Sequence, residues 1–261
     1  MDLKLDGKNA VVCGSTQGIG KAAAYELALL GADITLIARD EKKLKAAVKD
    51  LPTPLGQKHD YLVADFNFPD QLQGGLEKHF SRETFHILIN NTGGPPMGNA
   101  IDSKADEYIK AFTNHLLCNQ VLVQALVPGM RKSQYGRIIN IISTSVKVPI
   151  RGLGVSNTIR GAVANWAKTL SLELGPYGIT VNNILPGAIM TGRLETLIKN
   201  RAKKGQKTAE DVKKEMIAEI PVGRIGEASE VAAAIAFLAS PAAAYINGIN
   251  IPVDGGRTGS L

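Results

Sequence analysis

A glycine-rich turn near the N-terminus carries the clearest chemical signal in the sequence. Gly14, Gly18 and Gly20 separate an apolar, β-branched run at 10–13 from a helical pattern that begins near Ile19. Glycines let a chain turn tightly after a strand, and they let backbone N–H groups approach a pyrophosphate at the positive end of the helix dipole. The turn therefore predicts a dinucleotide site, although glycines can also serve packing alone. The residues predicted to contact the cofactor here are Gly14, Ser15, Gln17, Gly18, Ile19 and Gly20.

Arg39 follows the second β-branched run, near the position at which the ribose of a dinucleotide is recognised. An arginine can pair with a 2′-phosphate, whereas an acidic residue favours a free 2′-hydroxyl. Arg39 therefore favours NADP over NAD as the cofactor. In the alternative interpretation, Arg39, Lys42 and Lys43 belong to a solvated helix start that Asp40 caps.

The elements that must position these residues alternate regularly along the chain. Short β-branched runs predict strands at 10–13, 34–38, 61–64, 87–90, 137–142, 179–184 and 249–253. Helical patterns begin between them, near Ile19, Glu41, Pro69, Ala105, Val155 and Ser229. Such alternation implies right-handed crossovers and a parallel sheet with helices on both faces. Residues 1–261 therefore predict one doubly wound Rossmann domain of the α/β class, with about seven parallel strands.

The segment 193–220 interrupts this alternation with a polar, lysine-rich insertion that contains no predicted strand. Excursions beyond the carboxyl end of a strand often form the wall of a ligand site, so the segment is predicted to be a substrate lid. Between Arg193 and Met216 there are eight basic and four acidic residues, a net charge of +4 against +6 for the whole chain. This charge indicates either a solvated helical face or attraction for an anionic substrate, such as a phosphopantetheine-linked acyl group or a sugar acid.

Several classes of protein do not fit the composition and patterning. The apolar stretch 231–239 is about half the roughly 18 to 20 residues that a membrane-spanning helix needs. The N-terminal residues lack the apolar centre of a signal peptide, and Cys13 and Cys118 lie far apart with no metal-ligand spacing. No basic face with interleaved aromatic residues points to nucleic acid. We therefore expect a cytoplasmic protein with a small-molecule substrate, no metal site, and neither a membrane nor a nucleic-acid partner.

Further motifs follow the glycine turn in a characteristic order. Asn90-Asn91-Thr92-Gly93 comes after the fourth predicted strand, 181–187 with Thr191 comes after the sixth, and 221–224 and 245–256 lie near the C-terminus. Together they resemble the short-chain dehydrogenases/reductases along almost the whole chain, particularly the 3-oxoacyl-carrier-protein reductase-like group. The resemblance implies a homotetramer that packs through the helices after the fourth and fifth strands. It also implies cofactor contacts from Asp65, Asn91, Gly93, Pro186, Gly187, Ile189 and Thr191.

The catalytic residues depart from the family's pattern. The family carries a serine after the fifth strand and, thirteen residues later, the tyrosine of a Tyr-x-x-x-Lys motif. Ser143 matches the serine, but the places of the tyrosine and lysine hold Ser156 and Arg160. None of the six tyrosines has lysine or arginine four residues later, so no shifted alignment restores the motif. A further family residue, an asparagine thirteen residues before a proline, falls on His115 with Asn114 beside it.

The altered proton-transfer residues leave three functional interpretations. The favoured one is an NADP(H)-dependent oxidoreductase that acts on an unidentified carbonyl or alcohol through Ser143, Ser156, Arg160 and His115. A serine hydroxyl does not readily replace a phenol as an acid, and arginine stays protonated, whereas a histidine pKa near ~6.5 suits proton transfer. A lone histidine on an apolar helix is, however, more often a core residue.

The second interpretation is a catalytically inactive nucleotide-binding or regulatory protein. The third is a non-redox enzyme on the same fold, similar to the halohydrin dehalogenase relatives of the family, which also carry arginine in the lysine's place. Those relatives keep the tyrosine and lose the dinucleotide turn, the reverse of what this sequence shows.

Overall fold

A parallel sheet forms the centre of the computed structural model, which describes residues 1–80 and 84–260. Within these residues the sheet has seven strands in the order β3-β2-β1-β4-β5-β6-β7, and every neighbouring pair is parallel. The strands are β1 (Asn9–Cys13), β2 (Asp33–Ala38), β3 (Asp60–Val63), β4 (Ile87–Asn90), β5 (Gly136–Ile141), β6 (Ile179–Pro186) and β7 (Asn250–Val253). This order reverses between β1 and β4, the kind of switch point at which open α/β sheets bind ligands. The predicted doubly wound Rossmann fold is therefore confirmed.

Helices cover both faces of the sheet. Those of the described residues are α1 (Gly18–Leu29), α2 (Glu41–Lys49), α3 (Pro69–Phe80), α4 (Ala105–Phe112), α5 (Cys118–Ser133), α6 (Gly154–Leu174), α7 (Gly192–Gly205), α8 (Ala209–Ala218) and α9 (Ala228–Ala239). Successive strand residues point to opposite faces, so Val12 packs in the core under α1, α2 and α9, and Val11 packs in the core under α3, α5 and α6. Each predicted helix start lies within one residue of an observed one.

The polar insertion folds as α7 and α8, which have a small core of their own. Ala188 and Ile225 from the flanking chain join the apolar faces of the two helices in this core, whose helical members are Leu194, Ile198, Ala202, Val212 and Met216. The two helices lie beyond the carboxyl end of β6, where we expected a lid. Within the described part of the chain, no helix combines the length and apolar character that crossing a bilayer requires.

Candidate active site

The glycine turn forms a backbone cradle at the carboxyl end of β1. Gly14 and Gly18 have φ values of +57° and +56°, a backbone region that residues with a side chain rarely adopt. A Cβ atom on Gly14 would lie 2.7 Å from Asn91 Nδ2, and one on Gly20 would lie 2.3 Å from the Gly14 carbonyl oxygen. Asn91 Nδ2 donates hydrogen bonds to the carbonyl oxygens of Cys13 (3.3 Å) and Gly14 (3.1 Å). The turn is therefore held against the end of β4, and only glycine fits at these positions.

A long cleft, here called the nucleotide cleft, runs from this cradle past the ends of β2 and β3. The predicted cofactor residues that line it are Gly14, Gln17, Gly18, Ile19, Arg39, Asp65, Asn91, Gly93 and Thr191. Thr16, Lys43 and Asn114 also line the cleft, and the sequence reasoning did not assign them to it. Lys43 belongs to the helix start that the alternative interpretation treats as solvated, but in the structure it lines the cleft.

Ser15 and Gly20 do not line the cleft, contrary to the sequence prediction. Ser15 is fully buried, and its Oγ donates a hydrogen bond to the carbonyl oxygen of Ile37, 3.4 Å away in β2. Gly20 packs directly against Gly14, where its missing side chain allows α1 to approach the turn. Both residues therefore stabilise the cradle through contacts on the side that faces away from the cleft.

The nucleotide cleft opens into a second space, here called the inner cavity. Ile19, Asn91, Thr92, Thr191 and Arg193 line both, so the two spaces are continuous. The remaining residues predicted for the nicotinamide end line the inner cavity, namely Pro186, Gly187 and Ile189. The predicted cofactor residues at the nicotinamide end and at the ribose end therefore line adjoining spaces at the switch point.

The inner cavity brings together Ser143, Ser156 and Arg160, three of the four predicted catalytic residues. Ser143 lies two residues beyond the end of β5 and caps a short turn, where its Oγ accepts a hydrogen bond from the Ser145 N–H at 3.1 Å. Ser156 and Arg160 lie one helical turn apart at the start of α6, so their side chains share one face of that helix.

Arg160 is a buried cation with few partners. Its side chain is 8% exposed, and Nη1 donates a hydrogen bond to the carbonyl oxygen of Ile141 at 2.8 Å. Nε is buried without a hydrogen-bond partner among the described residues. Burial lowers the pKa of the guanidinium to about 10, and the charge of Arg193 adds to this effect. Arg160 therefore remains charged at neutral pH and does not pass on a proton as a lysine can.

His115 lies in a π-helical turn, Thr113–Leu117, that joins α4 to α5. The residue is 3% exposed and does not line the inner cavity. Burial holds its pKa well below the ordinary value, the charges of Arg160 and Arg193 lower it further, and a hydrogen bond with the Gly93 backbone opposes them. The imidazole is therefore neutral near pH 7, which disfavours it as a general acid.

The π-helical turn also bears on the choice between Asn114 and His115. A π turn holds more residues than an α turn, so the faces on which Asn114 and His115 lie differ from those that α-helical spacing gives. Asn114 lines the nucleotide cleft, and its Nδ2 donates a hydrogen bond to Asn67 Oδ1 at 3.3 Å. Asn114 is therefore the residue of the pair that faces the cofactor space.

Arg193 connects the α7–α8 segment to the loop after β4. Its Nη1 and Nη2 donate hydrogen bonds to the carbonyl oxygens of Gly94 and Pro95, both at 2.9 Å. Thr191 caps α7, since its Oγ1 accepts a hydrogen bond from the Leu194 N–H at 3.4 Å. The segment is thus held at the mouth of both spaces, which the sequence could not show because the acceptors lie about a hundred residues away.

Known proteins resemble this chain over nearly its full length. The family model described as enoyl-(acyl carrier protein) reductase matches residues 14–258. The 3-oxoacyl-(acyl-carrier-protein) reductase FabG of Haemophilus influenzae is 33% identical over 255 residues, which cover 97% of this chain and 98% of that protein.

Solved structures also align with this chain over nearly its full length. YwfH, an NADPH-dependent reductase involved in bacilysin biosynthesis, aligns with a TM-score of 0.91 and 30% identity over 97% of this chain and 99% of its own. L-Sorbose reductase from Gluconobacter frateurii, complexed with NADPH and L-sorbose, aligns with a TM-score of 0.93 and 29% identity over 100% of both chains. The sheet order, the glycine cradle and these full-length matches agree, and the chain belongs to the short-chain dehydrogenase/reductase family, in which it is similar to the 3-oxoacyl-(acyl-carrier-protein) reductases.

Proposed function

We propose that this protein is an NADP(H)-dependent oxidoreductase that interconverts a small carbonyl compound and its alcohol with an atypical catalytic set. The observation that carries the proposal is the continuity between an intact nucleotide cleft and the inner cavity that holds Ser143, Ser156 and Arg160. A protein that only binds a nucleotide has no need of a second compartment at the nicotinamide end.

The described residues fit a dinucleotide with a 2′-phosphate. The cradle leaves no room for a Cβ on Gly14 or Gly20, so backbone N–H groups can approach a pyrophosphate closely. Arg39 and Lys43 line the ribose end of the nucleotide cleft, while Asp40 accepts a hydrogen bond from the Lys43 N–H at 3.1 Å as the cap of α2. YwfH is an NADPH-dependent reductase, and the L-sorbose reductase structure is a complex with NADPH. Both relatives support NADP(H) over NAD(H) for this protein.

The chain's own residues are suited to stabilise charge on a carbonyl oxygen. NADPH, when bound, supplies the hydride, and reduction then requires one proton on the substrate oxygen. The Ser143 and Ser156 hydroxyls can donate hydrogen bonds to that oxygen, and the Arg160 charge stabilises its developing negative charge. Water is then the source of the proton. A positioned general acid typically contributes roughly 10² to 10⁴ in rate, so we expect slow turnover relative to an enzyme with the tyrosine.

The α7–α8 segment supports a substrate compartment. Leu194, Leu197, Arg201 and Met216 from these helices form one wall of the inner cavity. This position fits the lid that we predicted for 193–220, and the Arg193 contacts with the loop after β4 hold that wall in place.

A homotetramer is a further part of the proposal. Apolar side chains remain exposed on the helices after β4 and β5, among them Ile109 on α4 (66% exposed) and Leu172 on α6 (70% exposed). Exposed apolar residues on these particular helices are expected if α4, α5 and α6 pack against neighbouring subunits.

The test compares cofactor binding with turnover. NADPH is titrated into the purified protein by fluorescence, and its oxidation is then followed at 340 nm, the usual wavelength, over a broad panel of ketones and aldehydes. Binding with oxidation by at least one substrate class supports the oxidoreductase. Binding without any oxidation favours the inactive nucleotide-binding protein, and absence of binding favours a non-redox enzyme.

The double variant Ser156→Tyr with Arg160→Lys sharpens the distinction. If the pocket remains shaped for reduction, restoring the family's phenol and ammonium should raise turnover roughly 10²-fold or more. No gain for a folded, NADPH-binding variant would contradict a reductase pocket.

Arg39→Ala tests the cofactor assignment. Because a hydrogen bond to a charged group contributes about 1.5–3 kcal/mol, we expect NADPH affinity to fall roughly 10- to 100-fold while NADH affinity changes little. Lys42→Ala is the matched control, since Lys42 carries the same charge nearby but does not line the nucleotide cleft. An equal loss in both variants would contradict specific recognition by Arg39.

A further inference from the structure

Among the described residues, the inner cavity is lined by four arginines and by no carboxylate. Among its described lining residues are Arg160, Arg193, Arg201 and Arg257, and none of the lining residues is aspartate or glutamate. Arg257 forms an ion pair with Glu219, which lies outside the cavity. The other three have no ion pair with any residue in the described part of the chain. The cavity therefore carries a positive charge that the protein leaves largely uncompensated.

The arginines differ in the contacts that they make within the protein. Arg193 holds the loop after β4 and also lines the nucleotide cleft, so its charge can serve the cofactor. Arg160 is buried near Ser143 and Ser156, with Nε unpartnered. Arg201 lines only the inner cavity and has no hydrogen bond to a described residue. Arg201 is thus unpaired among the described residues, and Glu219 engages only Nη2 of Arg257, so both guanidinium groups retain donors for an anion.

The cofactor does not account for this charge. The phosphates of a dinucleotide belong to the glycine cradle and the ribose end of the nucleotide cleft, and the oxidised nicotinamide ring is itself positive. Unpaired charges beside a low-dielectric wall are costly, and a guanidinium pairs best with a planar oxyanion such as a carboxylate. The missing negative charge is therefore expected to arrive with the substrate.

Part of the remaining wall of the cavity is aliphatic. Ile150, Leu153, Leu194, Leu197 and Met216 line the same space as the arginines. Such an aliphatic patch suits a short carbon chain between two polar ends.

The basic residues of the α7–α8 segment divide into two sets. The lysines are directed away from the inner cavity, and Lys199, Lys203, Lys204, Lys207 and Lys214 are exposed. Among the basic residues of the segment, only Arg193 and Arg201 line the cavity. The solvated-face interpretation of the charge therefore applies to the lysines, and the anion-attracting interpretation applies to the arginines.

We propose that the substrate is an aliphatic oxo acid, or the corresponding hydroxy acid, whose carboxylate binds Arg201 and Arg257 while its carbonyl lies beside Ser143, Ser156 and Arg160. This inference rests on the proposed oxidoreductase function and names its substrate class. In the reductive direction the carbonyl carbon gains a hydride from NADPH, the oxygen gains a proton, and the carboxylate is unchanged.

The test measures ligand affinity, so that it does not depend on turnover. Calorimetry of the NADP⁺-loaded protein compares 4-oxopentanoate with hexane-2,5-dione, its neutral counterpart of similar shape. Both are carbonyl compounds, so the oxidised cofactor cannot reduce them. Because charge-assisted hydrogen bonds are roughly twice as strong as neutral ones, we expect 4-oxopentanoate to bind at least about 10-fold more tightly.

Variants assign the effect to the cavity. Arg201→Gln and Arg257→Gln should each weaken 4-oxopentanoate binding roughly 10-fold and leave hexane-2,5-dione binding unchanged. Lys199→Gln removes the same charge from α7 outside the cavity and should change neither affinity. Equal affinity for the two ligands, or an equal loss in Lys199→Gln, would overturn the proposal.

Two further outcomes separate the possible failures. If inorganic phosphate displaces 4-oxopentanoate at lower concentration than acetate does, the subsite prefers a phosphate and the carboxylate assignment is wrong. Selective binding of 4-oxopentanoate by a protein that oxidises no NADPH would refute the proposed reaction but retain the anion subsite. Turnover of neutral carbonyl compounds, without tighter binding of 4-oxopentanoate, would support the proposed reaction but refute the anion subsite.

Discussion

Arg160 changes the chemistry of its neighbour His115 as well as that of the inner cavity. Burial and the two nearby guanidinium groups lower the pKa of His115 in the folded state, so the unfolded chain binds this proton more readily. The folded state is therefore favoured above the ordinary histidine pKa of ~6.5, and this advantage is lost as the pH falls from there toward the lowered pKa.

His115→Gln tests this linkage. We expect the free energy of unfolding of the native protein to fall between about pH 6.5 and 5, by up to about 1.4 kcal/mol per pH unit more than that of His115→Gln. Urea unfolding at several pH values measures the difference. His86→Gln is the comparison and should change the pH slope in the same direction but less, because the pKa of His86 is lowered less, by its partial burial and then by Lys8. Identical pH slopes for native protein and His115→Gln would rule out a buried neutral His115.

Among the elements, a ladder of asparagine side chains links the four strands whose ends surround the inner cavity. Asn90 Nδ2 donates to Asn140 Oδ1 (2.8 Å), Asn140 Nδ2 to Asn183 Oδ1 (2.9 Å), and Asn183 Nδ2 to Asn250 Oδ1 (2.8 Å). These residues are also register partners across β4, β5, β6 and β7. A shift of one strand would separate the amides, so the ladder favours the register that places Ser143 beside the nicotinamide end.

Asn140→Leu should disrupt this ladder at its centre. The substitution leaves the Asn90 amide and the Asn183 carbonyl oxygen buried without partners, at about 1–3 kcal/mol for each group. We expect the free energy of unfolding to fall by about 2–5 kcal/mol in urea titrations. Asn200→Leu on the exposed side of α7 is the control and should have little effect. Equal stability of Asn140→Leu and the native protein would show that the ladder contributes nothing.

At the scale of the whole molecule, the proposed tetramer would bury apolar groups that the isolated chain exposes. Light scattering after size-exclusion chromatography should give a mass four times that of the chain. Ile109→Glu and Leu172→Glu should reduce that mass, because a carboxylate at a packed interface loses its hydration. Leu55→Glu, at a residue that is 62% exposed outside these helices, should leave it unchanged. A native protein that elutes as a monomer would contradict the proposed assembly.

The fold could be predicted because its signals are local. The observed ends of the seven strands lie within two residues of the predicted ones, since a β-branched run between turn residues needs no distant partner to be recognised. The glycine cradle was equally visible, because the freedom to adopt the positive φ seen at Gly14 and Gly18 is a property of glycine itself. The same local reading shows that no tyrosine replaces the one missing at Ser156.

The direction of individual side chains could not be predicted from the sequence alone. Ser15 is directed toward β2 instead of the cleft, and Asn114, in the π-helical turn, lines the cofactor space. Neither result follows from a motif, because each depends on how a turn or helix packs against a distant strand.

The sequence by itself determined the Rossmann fold, the nucleotide cradle, the departure from the Tyr-x-x-x-Lys pattern and the excess of positive charge between Arg193 and Met216. Only the tertiary structure decided which of those charges matter to the site. It directs the lysines to solvent and brings Arg201 together with Arg160 and Arg257 around one cavity. The reason is physical: composition sets the amount of charge, whereas the electrostatic effect of a charge depends on its distance and burial, which arise from contacts between remote segments.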